Sequence, residues 1–415
     1  MAQLSDDCFA FGGQLMSLDE AWALIAERVA PVAETETVPL HAADGRVLAA
    51  DLAAPIPLPP FDNAAVDGYA VRHSDLAHGE TRMSVAGRLA AGGAPPEAVP
   101  GTALRIFTGA PMLAGLDTVF MQEDVAVEPD GRVRLPAGLK AGANRRLAGE
   151  DISAGAMALP AGRRLRPQEL ALAAALGLDR LDVRRRPRVG VFSTGDEVAP
   201  PGPLAPGRLH DANRPMLLAW LARLGCAATD LGILPDDRAA VTRALGEAAA
   251  GHDLIVTSGG VSAGEEDHVR AALEATGSLA FWRLAIKPGR PVAMGVVGGA
   301  AFVGLPGNPV AAFVTFAQVA RALVAGLAGE TFQPPRPLPV RAGFGYAKKE
   351  GRREYVRVRL GAPRDGLLVA ERHPREGAGI ITSLTETDGL VELGEAVRIV
   401  APGEVVGFLP YATLL

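Results

Sequence analysis

Three runs decide the fold: RVGVFSTGDE (188–197), ATDLGILPDD (228–237) and DLIVTSGG (253–260). Each is a short apolar segment, two of them rich in β-branched residues, that ends in Gly, Pro or acidic residues, as strands do. Helical patterns follow at about 213–224, to near 250 and at about 266–275. Alternating β and α elements of these lengths predict a mostly parallel, doubly wound sheet. In such sheets ligands bind beyond the C-terminal strand ends, where helix N-termini point positive dipoles outward. The three ends carry Asp196 and Glu197, then Asp236 and Asp237, then Glu265, Glu266 and Asp267. Helix capping alone favours acidic residues there and suffices for Asp237 or Glu266 taken singly. Repetition at three ends, beside the turn Ser258-Gly259-Gly260, tips the balance toward a hard-cation site. Carboxylate oxygens and water suit Mg²⁺ bridging phosphates.

Downstream, the apolar stretch 292–305 is Gly-rich and shorter than the ~20 residues a membrane helix needs, so it reads as two strands. It lies between Lys287-Pro288-Gly289-Arg290, two cations on a stiff turn, and Gly304-Leu305-Pro306-Gly307-Asn308-Pro309. In the latter, Asn308 fits a helix N-cap and Pro309 a first helical position. Past a proline-rich linker (QPPRPLP), YVRVRL, LLVA, VRIV and EVVGFL alternate as strands of a small β-barrel or sandwich do. Upstream, Ser17-Leu18-Asp19-Glu20 forms a capping box opening a helix that turns Trp22, Ile25 and Val29 toward a core. The prolines at 55, 57, 59 and 60 mark a linker, and short strands follow to about 154. Residues 155–185 are too few to fold alone and are expected to pack with the N-terminal helix. The expected division is a discontinuous α+β domain (1–54 and 155–185), a β-rich domain (55–154), the α/β domain (186–328) and a C-terminal β domain (329–415).

Composition narrows the function. A chain of 415 residues exceeds one core, and 48% hydrophobic with 21% charged residues describes a globular protein. Net charge −6 argues against nucleic acid or an anionic membrane as partner. Two cysteines, Cys8 and Cys226, cannot build a disulfide framework or thiolate cage. The N-terminus has no basic and apolar leader, and a cytoplasmic location is expected. There is no GxxxxGK[ST], no GxGxxG opening a helix, no zinc spacing among the seven histidines and no GxSxG elbow. The backbone amides of SGGVSAG remain available as a phosphate cradle.

Eight islands keep one order: PPFDNAAVDGYAVR (59–72), RIFTGAP (105–111), GEDISAGA (149–156), VFSTGDEV (191–198), DANR (211–214), SGGVSAGEEDHV (258–269), FWRLAIKPGRP (281–291) and GLPGNPV (304–310). Together they resemble the MoeA-type molybdopterin molybdenumtransferase family, which includes the C-terminal domain of gephyrin. The resemblance implies an elongated homodimer of four-domain subunits. It also implies transfer of molybdenum from molybdate into adenylylated molybdopterin, with Mg²⁺ required and AMP released. It assigns Asp67, Thr108, Asp151, Glu197, Asp236 and Asp267 to the acidic site, with Asp236 and Asp267 on the metal. Ser258, Gly259, Gly260, Pro306 and Pro309 would shape the substrate site. Lys287, Arg290, Arg352 and Ser383 would form the molybdate pocket between the third and fourth domains. Transient contact with an adenylyltransferase or with molybdenum-enzyme clients is a further implication. Ala64, Val66 and Ala212 stand where the commoner pattern has Ser, Met and Thr, and Arg283 and Arg290 replace frequent lysines. Two rivals stay open: a scaffold without activity, and the adenylyltransferase that makes the pterin adenylate.

Overall fold

The computed structural model describes the backbone of residues 15–260, 269, 271–273 and 277–414. Asp267, with Glu265 and Glu266, lies outside the described residues, as does most of the helix expected at 266–275. The three runs become adjacent strands of a seven-stranded sheet. From one edge its order is Leu15–Met16, Gly277–Leu284, Pro291–Val297, Ala300–Leu305, Leu254–Ser258, Arg188–Thr194 and Ala227–Leu234. Ala300–Leu305, Leu254–Ser258, Arg188–Thr194 and Ala227–Leu234 run parallel. Because helices cover both faces, Arg188–Thr194 is buried after its first residue. The 292–305 stretch is a hairpin turning at Gly298 and Gly299, both with positive φ. That is the geometry a tight two-residue turn demands.

Asn213–Arg223 and Arg238–Gly251 are the helices between the parallel strands. A continuous helix, Pro309–Ala328, is long and apolar enough to cross a membrane, yet 89% of its most apolar window is buried in the protein. It is a core helix, with a π-helical turn at Phe316–Ala320.

The capping box forms: Glu20 N–H donates to Ser17 Oγ (3.2 Å) and Ser17 N–H to Glu20 Oε2 (2.8 Å). The helix it opens, Leu18–Arg28, does not pack with residues 155–185. It lies on the Arg321–Ala328 segment, and Leu18, Ala21 and Ile25 join the core of the α/β sheet. Its apolar stripe finds a larger apolar partner there than the short returning segment offers. The returning segment pairs instead with residues after that helix. Thr35–Pro39 is antiparallel to Arg180–Arg184, and Leu52–Ala53 to Met157–Leu159, around Val38, Leu48, Leu165 and Val183.

Helix Pro167–Ala175 in this unit is anchored by Glu169, only 4% exposed, which accepts from Arg163 Nη2 (2.6 Å) and Arg166 Nη2 (2.7 Å). The Arg166 hydrogen bond, aided by Arg163, outweighs burial and holds the carboxyl at about 2 against an ordinary 4.5. A group depressed on folding stabilises the fold above its unfolded pKa, and that contribution fades as pH falls toward the folded value. Glu169→Gln should therefore cost about 1–2 kcal/mol at pH 7 in urea unfolding. It should also flatten the acid limb of stability between pH 4.5 and 2.

Between the two arms of that unit, four strands pair in the order Val85–Leu89, Ala103–Ile106, Gly68–Val71, Thr118–Met121, beside a three-stranded sheet. At the C-terminus, Arg353–Arg364, Leu367–Arg372, Leu338–Ala342, Val405–Pro410 and Gly389–Leu393 pair in sequence and close back on the first, making a barrel. Ile286–Lys287 leaves the α/β domain and adds to this barrel in parallel with Arg353–Glu354. That pairing fixes the seam between the two domains.

Candidate active site

The parallel strand ends converge on a cleft of about 460 Å³. Arg188–Thr194 ends in Ser193 and Thr194, whose hydroxyl oxygens are buried without a hydrogen-bond partner among the described residues. Across from them, Asn213 begins its helix, held from behind. Its Nδ2 donates to Ser258 Oγ and to the Gly307 carbonyl, each at 2.7 Å, which ties the loops after two strands to one helix start. Asn213 Oδ1 is buried with no partner among the described residues. Three buried polar oxygens without a partner among the described residues, on side chains that line one cavity, mark a surface that a polar ligand would complete. Asp211 is occupied structurally, accepting from the Arg214 backbone N–H (3.1 Å) and Nε (2.8 Å). Gly259 lines the cleft with φ +93°, its N–H donating to the Leu305 carbonyl at 3.0 Å.

On the rim, Asp196 and Asp236 cross-link two strand ends. Asp236 N–H donates to Asp196 Oδ1 (3.1 Å), and Asp196 N–H to Asp236 Oδ2 (3.4 Å). Both residues are exposed. Glu197 folds back over Gly195, so close that a Cβ on Gly195 would lie 2.6 Å from its Oε2. Asp237 has the simple role, capping its helix by accepting from Ala240 N–H at 2.7 Å. Among the described residues no group of three or more His, Cys, Asp or Glu is arranged to hold a metal. The oxygen donors of Asp196 and Asp236 fit a hard, partly hydrated cation, for which two carboxylates suffice.

A second cavity, about 320 Å³, opens at the seam with the barrel and is lined by Lys287, Pro306, Arg357, Arg372 and Arg375 among others. Asn308 lines both cavities. It sits at the N-cap of Pro309–Thr315 but makes no cap hydrogen bond. The first N–H of that helix, on Val310, is taken by the Ala378 carbonyl (2.9 Å), which leaves the Asn308 side chain free of the capping role.

Lys287 Nζ meets Glu354 Oε2 and Tyr346 Oη, both at 3.2 Å. Burial works against the ammonium, but Tyr346 and Glu354 outweigh it and hold its pKa above the ordinary value. Glu354, 1% exposed, also accepts from Arg352 Nε at 2.7 Å. Burial opposes its charge, and Tyr346, Arg352 and Lys287 more than offset it, leaving its pKa lowered. Lys287 thus lines the cavity as a neutralised ion, and Arg352 stands behind it. Arg290 is exposed and lines neither cavity. Ser383 is buried in the short helix Thr382–Thr385, its hydroxyl donated to the Ile380 carbonyl, and it too lines neither.

Asp67 and Thr108 do meet. The Thr108 N–H and hydroxyl donate to Asp67 Oδ1 at 2.8 and 2.7 Å, and these two bonds, the backbone one foremost, lower its pKa. Their place is the β-rich domain, on the loops that follow Asn63–Ala64 and Ala103–Ile106, and they line neither cavity of their own chain. Asp151 is exposed beside the proline linker in space, its N–H donating to the Leu58 carbonyl. Of the residues singled out from the sequence, Glu197, Ser258, Gly259 and Pro309 share the first cavity, Lys287 and Pro306 the second, and Asp236 the rim; Gly260 follows Gly259 in the same turn. The sequence marks none of Ser193, Thr194, Asn213 and Arg357 as a site residue, and it marks Asn308 only as a helix N-cap. Four of them stand inside quoted islands, but a hydroxyl or amide gives no sign in sequence that its partner is missing.

Three family models match the chain in order: "MoeA N-terminal region (domain I and II)" over 16–177, "Probable molybdopterin binding domain" over 190–325 and "MoeA C-terminal region (domain IV)" over 339–411. A molybdopterin molybdenumtransferase of Haemophilus influenzae is 38% identical over 97% of this chain and 100% of its own length. Molybdopterin molybdenumtransferase 2 of Mycobacterium tuberculosis is 36% identical over 88% of this chain and 93% of its own. Among solved structures, two of the molybdopterin biosynthesis MoeA protein from Pyrococcus horikoshii match. One has TM-score 0.81 at 28% identity, covering 96% of this chain and 100% of that one; the other has TM-score 0.75 at 31% identity, covering 96% and 99%.

Proposed function

The chain belongs to the MoeA family of molybdopterin molybdenumtransferases, and from that premise we propose that it inserts molybdenum from molybdate into adenylylated molybdopterin, with release of AMP, in molybdenum cofactor biosynthesis. One observation carries this reading: a polar cleft and a cationic cavity share Asn308 as a common wall, so two anionic substrates can be held side by side. Adenylylated molybdopterin suits the cleft, where Ser193, Thr194 and Asn213 offer polar atoms that have no partner among the described residues, beside the Gly259-Gly260 turn. Molybdate, a compact dianion, suits the seam cavity.

Asp236, with Asp196 beside it, would hold Mg²⁺, and Asp267, which follows Leu254–Ser258 in the sequence, is the further ligand that the family resemblance implies. Bound there, the ion would neutralise the AMP phosphate and favour its departure. Water attacking the pterin phosphate would form a new P–O bond as the P–O bond to AMP breaks, so that AMP leaves as the displaced group. The Asp67 carboxylate, held in one orientation by Thr108, would accept a hydrogen bond from that water and pass its proton on to solvent. Since Asp67 and Thr108 line neither cavity of their own chain, a second copy would deliver them, and Asp151 with them. The proposed form is therefore a cytoplasmic homodimer, passing its product to molybdenum-enzyme clients.

The test incubates the protein with adenylylated molybdopterin, Mg²⁺ and molybdate and follows AMP by chromatography. Molybdate-dependent AMP release with metal-loaded pterin is the expected result. Accumulation of adenylate from ATP and pterin without molybdate would identify an adenylyltransferase instead. Asp236→Ala should still bind adenylylated pterin but slow AMP release about 100-fold. Normal turnover would remove Asp236 from the metal site.

A further inference from the structure

We propose that a third cavity, remote from both described above and sharing no lining residue with them, binds a phosphate group between Arg321 and Arg223. The proposal is independent of the molybdenum-transfer reading.

The core helix Pro309–Ala328 has 20 residues and a single charge, Arg321. That residue directly follows the π-helical turn Phe316–Ala320, an irregularity frequent at functional sites. Its side chain is half-buried and lines a cavity of about 260 Å³ with Arg164, Arg223, Glu330, Thr331 and Gln333 among others. A water takes up only about 30 Å³, so a larger occupant has room. Three arginines thus share the cavity with one carboxylate, and that carboxylate is spent: Glu330 Oε2 accepts from Arg164 Nε (2.9 Å) and Nη2 (2.6 Å). Arg321 makes no ion pair among the described residues. Its Nη2 donates to the Thr413 carbonyl at 3.3 Å, its Nη1 is buried without a partner among the described residues, and its Nε has none there either. Burial, foremost, pulls its pKa below the ordinary value; the attraction of Glu330 only partly offsets this, and Arg164 adds to it.

An uncompensated charge in a poorly solvated wall is costly, and an anion from outside removes that cost. Arg223 stands at the same cavity, exposed in the last turn of Asn213–Arg223. The C-terminal carbonyls of that helix would repel an anion, but they are occupied. The Leu224 carbonyl accepts from Arg164 Nη1 (3.1 Å), and those of Leu221 and Ala222 from the N–H groups of Cys226 and Gly225. Two guanidiniums suit a phosphate dianion in charge, and their planar forks suit its oxygens. The helix has 11 residues, about 16 Å, and its other end holds Asn213 in the cleft. The phosphate site therefore lies at the opposite end of that helix from the substrate cleft.

Isothermal titration and thermal melting of the full chain test this, with inorganic phosphate and with glycerol 3-phosphate at ionic strength matched by chloride. The variants are Arg321→Gln, Arg223→Gln and, as an exposed control, Arg243→Gln. Arg321→Gln should weaken phosphate binding at least about 10-fold, Arg223→Gln about 3- to 10-fold, and Arg243→Gln not at all. Phosphate should raise the melting temperature of the unaltered protein and leave that of Arg321→Gln unmoved. Without phosphate, Arg321→Gln should melt at or above the unaltered protein, because it removes an unpaired charge. Tighter Arg321-dependent binding of glycerol 3-phosphate would support the site as one for a phosphomonoester, and tighter binding of phosphate as one for the free ion. Unchanged phosphate affinity in Arg321→Gln would overturn the proposal, as would displacement of phosphate by molybdate, which would place it in the seam cavity. If Arg321→Gln does not fold, Arg223→Gln decides, and an unchanged affinity there would overturn it. So would an unaltered protein that binds neither probe at millimolar concentration.

Discussion

Gly259→Ala is expected to lower kcat/KM for AMP release by about 100- to 1000-fold while leaving the melting temperature within a few degrees of the parent. Gly259 has φ +93°, a conformation in which any other L-residue is strained. A Cβ there would lie 2.6 Å from the Thr194 carbonyl oxygen and 3.1 Å from its Oγ1. The carbonyl is backbone in the neighbouring parallel strand, so it cannot rotate away, and the loop must move. Strand Leu254–Ser258 is buried throughout and would stay in place, which is why the stability change is small. A displacement near 1 Å of groups that position a phosphate costs about 100-fold on its own. Steady-state kinetics and calorimetric titration with adenylylated pterin would separate the binding and turnover components. A variant with unaltered kinetics would show that the turn touches no substrate.

Trp220→Ala should produce the largest loss of stability, about 3–5 kcal/mol, read as a fall of about 10 °C or more in the calorimetric transition of the α/β domain. Trp220 is 1% exposed on the helix Asn213–Arg223. Its ring centroid lies 4.5 Å from that of Phe313 and 4.7 Å from that of Phe316, both on the core helix. Its Nε1 donates to the Leu414 carbonyl at 2.9 Å, tying the end of the chain to this core. Truncation removes the stacking, leaves a cavity and orphans that carbonyl. Asn213 sits at the other end of the same helix, so activity should fall below what the fraction unfolded explains. A Trp220→Phe variant, keeping a ring but no donor, should recover most of the stability. A loss below 1 kcal/mol for Trp220→Ala would show that the site collapses freely.

Much of the site was legible because turn chemistry is local. The carboxylates at the ends of RVGVFST and ATDLGIL, the Gly259-Gly260 turn and the Asn308-Pro309 helix start all follow from short-range rules and occupy the positions expected of them. Roles dependent on a partner were not legible. Lys287 and Arg357 look alike in sequence as basic residues beside the seam. Only Glu354, distant from Lys287 along the chain and reached through a parallel β-pairing, makes one neutral and leaves the other bare. Likewise the N-terminal helix was readable from its capping box and apolar stripe, but its apolar partner was not. The stripe specifies a face, and several faces could have covered it.

The sequence by itself determined the strand–helix alternation, the closure of the C-terminal strands into their own unit and the hairpin at 291–305. Periodicity and turn residues act over a few residues, and those energies suffice to choose an element. Tertiary structure alone decided that Asn308 divides two cavities, that Asn213 offers its oxygen because both its donors are taken, and which of the basic residues lining the seam cavity make an ion pair among the described residues. These are properties of what is absent around a side chain, set by long-range packing and by the high cost of an unmatched charge in a poorly solvated interior.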